Sequence, residues 1–186
     1  MKHPEGIYMD KYSCDIIERA KKIKLLLLDV DGVLTDGRIV YGNYGDEIKN
    51  FDVNDGLGIT FVKRFGIKCV ILTAKASRVV VKRAKELRID KVYQNFHYKI
   101  EALGKIRRKF HVTDEEICFV GDDVIDIPVL KRAGLAVAPS SAMDVVKPFT
   151  HLVTEKKGGR GAVREVCDLI LKAQGKWEQL MSRYIE

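Results

Sequence analysis

The chain has 186 residues, 46% hydrophobic and 32% charged, which suits one globular domain and leaves no room for a second full one. Its net charge is +7, yet Lys and Arg are spread along the chain without aromatic interleaving, so the excess reads as a basic surface that attracts an anionic substrate, not as a nucleic-acid site. No apolar run reaches membrane-span length, residues 1–22 hold no apolar signal core, and the four cysteines form no CxxC pair; a cytoplasmic protein with reduced thiols and no structural zinc is expected.

In chain order, residues 1–22 are expected to form a helical extension, with a short helix around residues 9–21. Residues 23–30, IKLLLLDV, read as a fully buried strand. An excursion without helical period follows, carrying Gly42 and Gly45, and is expected to be a β-hairpin over about residues 37–53. Helix is then expected over 56–65, with Leu57, Phe61, Val62 and Phe65 on one side. A buried strand at 68–73, a helix at 77–87, a short strand at 91–93 and a helix at 99–110 come next. After them stand a buried strand at 117–123, a short helix at 127–133 with an early proline, strand-like pieces at 134–138 and 151–154, and a helix at 161–175 closed by Gly175. Near-continuous apolar strands alternating with helices predict an α/β fold: a parallel sheet covered on both faces. Residues 23–174 are read as the one domain and 175–186 as a C-terminal tail.

Carboxylates crowd the ends of two of these strands. LLLLDVDGVLTDG places Asp29 and Asp31 at the end of the first, VGDDVID places Asp122, Asp123 and Asp126 at the end of another, and Thr73 ends CVILT. In open α/β sheets ligands bind beyond the carboxyl ends of the strands, so these residues can converge on one crevice. Clustered carboxylates repel and call for a cation; all-oxygen donors favour a hard ion, with Mg2+ the usual choice beside phosphate. A carboxylate can also attack phosphorus, and a nearby Lys can offset the phosphoryl charge. No GxxxxGK[ST] loop is present. Alone, a DxD or GDD is commonly a turn or cap, Thr73 could simply end a strand, and Lys99 could be a solvated surface lysine. The joint occurrence, in order and after buried strands, is the specific signal.

With those motifs in hand, DVDGVLTDG resembles the first motif of the haloacid dehalogenase superfamily, Thr73 its second, Lys99 its third and GDDVID its fourth. Over about residues 20–177 the chain resembles the 3-deoxy-D-manno-octulosonate 8-phosphate (KDO 8-phosphate) phosphatase family, through YGNYGDEIKNFDVNDGLGI, GDDVIDIPV and GGRGAVREVCDLILKAQGKW. The resemblance implies a Rossmann-like fold with a small hairpin after the first strand and no large cap domain. It implies a Mg2+-dependent phosphatase in lipopolysaccharide sugar synthesis. Asp29 would be the nucleophile that becomes an aspartyl-phosphate, and Asp31 the general acid and then base. Thr73 and Lys99 would hold the phosphoryl group. Mg2+ would sit on Asp29, the Asp31 backbone carbonyl and Asp122, with Asp123 and Asp126 in support; Asp126 could also cap the helix that follows. Asp52, Val53, Asn54, Asp55 and Gly56 match the segment lining the family's substrate site, although Asn54 and Asp55 could instead cap the next helix. Lys75, Arg83 and Arg160 would meet the sugar acid. The family's hairpin helps build a homotetramer in which neighbouring subunits complete each site, its C-terminal region reaching the neighbour; no nucleic acid and no membrane are implied as partners.

The chain departs from the family at two places. Thr73-Ala74-Lys75 stands where the family usually reads Thr-Gly-Arg, and Thr60 where an Arg is common. Lys and Arg differ in how they grip a planar carboxylate, so substrate recognition is the part in question. A sister group acting on 2-keto-3-deoxynononic acid 9-phosphate tends to carry Glu at the positions of Lys75 and Arg160, and both residues here favour the eight-carbon acid. Two other classes stay open at this point: a phospho-receiver module, whose acceptor Asp follows its acidic pair instead of leading it, and a degenerate interaction subunit.

Overall fold

The computed structural model describes residues 11–185. Strand β1 (Leu25–Leu28) is buried throughout and sits between two strands, β4 (Lys68–Leu72) and β6 (Ile117–Val120), each paired with it in parallel register. β5 (Lys91–Tyr93), β7 (Leu135–Ala138) and β8 (Leu152–Val153) complete a six-stranded parallel sheet of order β5-β4-β1-β6-β7-β8. The four leucines explain why the strand shows no polar alternation. Leu26 and Leu28 enter one core and Leu25 and Leu27 the other, because successive side chains point to opposite faces. Each such burial is worth about 1.5–3 kcal/mol.

One face is covered by α1 (Cys14–Lys21), α2 (Val53–Arg64), α3 (Arg78–Glu86) and α6 (Ala162–Ala173), the other by α4 (Ile100–Phe110) and α5 (Ile127–Leu130). The chain leaves β1 toward β4 on one side and later returns to β6 on the other, so the strand order reverses at β1. That reversal opens a crevice at the C-terminal end of β1, where Asp29 begins. No large cap domain interrupts the sheet. The only insertion among the described residues is the antiparallel pair β2 (Val40–Tyr41) and β3 (Glu47–Ile48).

Three expectations change in detail. Helix α2 starts at Val53, three residues early, because Asp52 caps it by accepting from the Asn54 and Asp55 N–H groups. Leu57 is exposed on that helix; Ile59, with Phe61 and Val62, takes the buried face beside α6. The tail after Gly175 is not featureless, for α7 (Trp177–Ile185) folds back on the body of its own chain. There Leu180 is buried and Tyr184 hydrogen-bonds Arg64 and packs near the Phe61 ring. Helix α1 begins at Cys14, and the expected start at residue 9 lies outside the described residues. No helix among the described residues is long and apolar enough to cross a membrane.

Candidate active site

Asp29 is the first residue past β1. Its N–H still donates to the Val120 carbonyl, so the ladder aims its side chain into the crevice. Thr73 occupies the matching position after β4, its N–H on the Tyr93 carbonyl; it is buried, and its hydroxyl accepts from the Lys75 N–H. Lys99 precedes α4 and is among the largest fully buried side chains, contrary to the solvated reading that its basic neighbourhood allows. Its Nζ lies 2.8 Å from Asp29 Oδ1 and 2.6 Å from Asp126 Oδ1. Asp126, wholly buried, accepts on its other oxygen from the Asp122 and Asp123 N–H groups. Asp123 is exposed and caps the short 3₁₀ turn after β6 through the Val124 N–H. Gly32 takes a left-handed φ of 90° and leaves the space that Asp122 fills; a Cβ there would overlap the Asp122 carboxylate.

The charges in this crevice do not balance. Asp29, Asp122 and Asp126 offer carboxylate oxygens within 4.8 Å of one another, and among the described residues Lys99 is the one cation bonded to them. Burial, then the Asp126 charge, pushes Asp29 up to about 7 against the pull of Lys99. Burial, then Asp29 and Asp126, pushes Asp122 up to about 8. Asp122 Oδ1 is buried without a hydrogen-bond partner. With all three ionised, one ammonium would leave two negative charges unmatched, which is the charge of a divalent cation. An all-oxygen set suits a hard ion such as Mg2+. Asp126 already spends both oxygens on Lys99 and on backbone, so Asp29 and Asp122 are the side chains free to hold it.

A family model described as haloacid dehalogenase-like hydrolase matches residues 71–166. The Escherichia coli K12 3-deoxy-D-manno-octulosonate 8-phosphate phosphatase KdsC is 43% identical over 173 residues, 93% of this chain and 92% of its own. The Yersinia pestis phosphatase of the same name is 44% identical over 88% of both chains. The chain belongs to the 3-deoxy-D-manno-octulosonate 8-phosphate phosphatase family. Its fold matches the Moraxella catarrhalis octulosonate phosphatase, solved in complex with magnesium, phosphate and KDO, at a TM-score of 0.91 and 38% identity, covering 93% of this chain and 99% of that one. The Yersinia pestis octulosonate phosphatase structure aligns at 0.88 and 44% identity over 90% of both.

A cavity of about 390 Å³ is lined by Asp36, Asn50, Asp52, Val53, Asn54 and Arg160, with Phe51 and Gly159; Asp29, Asp31, Thr73, Lys99 and Asp122 do not line it. The loop bearing Arg160 packs directly on the loop after β1. Gly159 N–H donates to the Val33 carbonyl, and Gly158 lies against Gly32 so closely that a Cβ would collide with its carbonyl oxygen. Arg160 therefore faces the cavity of its own chain. Asp52 contributes there while capping α2. Asp55 turns away: it is buried, accepts from the Arg164 and Gly161 N–H groups at the start of α6, and is raised to about 6 by burial. Gly56 lies beneath the Arg83 guanidinium, which reaches the Asp52 carbonyl but not the cavity wall. Lys75 is exposed and lines no part of the cavity.

Sequence reasoning missed Lys49. Its side chain is 1% exposed, and its ammonium bonds Asp31 Oδ1 at 2.5 Å and Glu47 Oε1 at 3.1 Å. Glu47 in turn bonds the hydroxyl of Ser77, the cap of α3. The signal was present as Glu47-Ile48-Lys49: in a strand the first and third share a face, and with Ile48 outward the two charges must turn inward.

Proposed function

We propose that this protein is a Mg2+-dependent phosphatase that hydrolyses 3-deoxy-D-manno-octulosonate 8-phosphate to KDO and phosphate, in lipopolysaccharide sugar synthesis. The observation that carries the reading is the pair Asp29 and Asp31: two carboxylates two residues apart at the switch point of the sheet, one buried against Lys99, the other held at the crevice mouth. The octulosonate phosphatase relatives and the Moraxella complex with magnesium, phosphate and KDO supply the substrate class.

Asp29 is the nucleophile. A carboxylate oxygen attacks phosphorus, and the ester P–O bond breaks with its electron pair on the leaving sugar oxygen. That oxygen takes a proton from Asp31, giving the free sugar and an aspartyl-phosphate. Asp31 then takes a proton from water, whose oxygen attacks the same phosphorus and frees Asp29 and inorganic phosphate. Lys99 places a fixed positive charge beside Asp29, and Thr73 offers a hydroxyl to a phosphoryl oxygen. Bound at Asp29 and Asp122, Mg2+ supplies electrostatic stabilisation of the phosphoryl charge. Asp126 and Asp123 hold the loop that carries Asp122. Arg160, at the cavity rim, is placed to pair with the sugar carboxylate.

We place the enzyme in the cytoplasm as a homotetramer in which neighbouring subunits complete each site. The support is the hairpin, whose Ile39, Tyr41, Tyr44 and Ile48 are exposed although apolar or aromatic; Tyr44 is 99% exposed. The deciding experiment measures phosphate release from a panel of sugar phosphates, including the eight-carbon and nine-carbon keto acids, with and without Mg2+. Preference for the eight-carbon acid is expected, with Asp29→Asn inactive. Preference for the nine-carbon acid would move the substrate and keep the chemistry. A single labelling without turnover would mark a receiver-like module, and full activity of Asp29→Asn would refute the mechanism.

A further inference from the structure

We infer that Lys49 is a positioning residue for proton transfer, an arm of the hairpin that fixes the Asp31 carboxylate against the crevice. The inference rests on the phosphatase reading above. A lysine side chain is costly to remove from water, and the Lys49 side chain is 1% exposed within a residue that is half-buried as a whole. The cost is offset by two carboxylates, Asp31 and Glu47, whose attraction outweighs desolvation and holds the ammonium above its ordinary pKa. Glu47 is itself anchored through the Ser77 hydroxyl, and Ser77 is a buried cap on α3. The chain of contacts therefore runs from the helical layer through Ser77, Glu47 and Lys49 to one oxygen of Asp31. Among the described residues no hydrogen bond is made to the other oxygen, Asp31 Oδ2. With one oxygen clamped and one free, the carboxyl presents a single defined atom to the leaving oxygen.

The geometry also separates the two carboxylates. Asp29 is held from the core by Lys99, and Asp31 from the insertion by Lys49. Loss of Lys49 leaves the Asp29–Lys99–Asp126 contacts in place and frees the Asp31 rotamer. Its effect should fall on leaving-group protonation and spare attack on phosphorus.

The test compares kcat/KM, which covers the steps up to departure of the alcohol, for a sugar phosphate and for an aryl phosphate. The aryl leaving group departs without protonation. A positioned general acid contributes about 10²–10⁴-fold. Lys49→Met should therefore lower kcat/KM about 10²-fold on the sugar ester and only about two- to threefold on the aryl ester, with kcat rather than KM carrying the loss. Lys49→Arg, which keeps the charge, should recover part of the sugar-ester rate. The aryl ester doubles as a folding control in the same protein. Equal loss on both esters, or no loss on either, overturns the inference while leaving the phosphatase reading intact. A wild-type protein that releases phosphate from neither ester overturns the reading itself, and this inference with it.

Discussion

Replacing Lys99 by Met keeps most of the aliphatic volume and removes one charge. In the wild type that ammonium lies 2.8 Å from Asp29 and 2.6 Å from Asp126, and all three side chains are within the buried crevice. Deleting one partner of a buried ion pair leaves an uncompensated charge and costs about 3–5 kcal/mol. For a chain of this size each kcal/mol lowers Tm by about 2–4 °C, so a fall of about 6–20 °C is expected near pH 8 without metal. The deficit should depend on pH. Asp29 stands near 7 in the folded protein against 3.8 ordinarily, chiefly through burial. A carboxyl raised in this way contributes stability when protonated, fully present below 3.8 and lost as pH rises through about 7. Lys99 is what lowers it, so the variant's Asp29 lies higher still and its loss extends to higher pH. The gap between variant and wild type should thus widen between about pH 5.5 and about pH 8. Thermal melts followed by circular dichroism in chelator at both pH values give the readout. An equal Tm at pH 8, or a deficit that does not change with pH, would refute the argument that charge balance is what Lys99 contributes.

Mg2+ should raise Tm more near pH 8 than near pH 6, because holding it requires Asp29 and Asp122, raised to about 7 and about 8, to lose their protons. Asp122→Asn should abolish that rise; melts with a Mg2+ titration decide it. Gly158→Ala puts a Cβ onto the Gly32 carbonyl oxygen, where only backbone could yield, and should cost about 1–3 kcal/mol together with phosphatase activity. Chemical denaturation and phosphate release measure the two losses. If the proposed tetramer forms through the hairpin, Tyr41→Ser combined with Tyr44→Ser should shift sedimentation toward smaller species, while the melting of the isolated chain changes little, since both rings are exposed in it.

The sheet was legible because its strands carry their burial openly. Four consecutive leucines fit a strand packed on both faces, and ICFV and LAVA repeat the pattern at β6 and β7. Asp29, Asp31, Asp122 and Thr73 were legible as candidates because a parallel sheet brings all its strand ends to one side. What the sequence hid depends on distant contacts or on very short elements. Asp55 caps the start of α6 through N–H groups more than a hundred positions away, and no local pattern announces that partner. The burial of Lys99 follows from two carboxylates on other segments, while its own neighbours argue for solvent. Lys49 lies beside strands two residues long, too short for alternation to register as a period. Helix α7 follows a glycine that ends α6 with a φ of 65°, and its packing needs Phe61 and Arg64 from α2.

These hidden contacts share a logic. In the mechanism proposed above, two carboxylates two residues apart behave differently: Asp29 attacks phosphorus while Asp31 gives up a proton. Sequence proximity gives them nearly the same surroundings, so the difference has to come from partners brought in from elsewhere. Lys99 arrives from the start of α4 and reaches only the first; Lys49 arrives from the insertion and reaches only the second. The buried carboxylate shares its cation with Asp126, and the neighbouring Asp122 keeps an unpaired oxygen, so that side of the crevice retains a deficit suited to a divalent ion. Asp31 has a whole ammonium bonded to one oxygen. The insertion after β1 therefore does more than present an apolar surface. By delivering a lysine to Asp31, it gives the second carboxylate a partner of its own and surroundings distinct from those of Asp29.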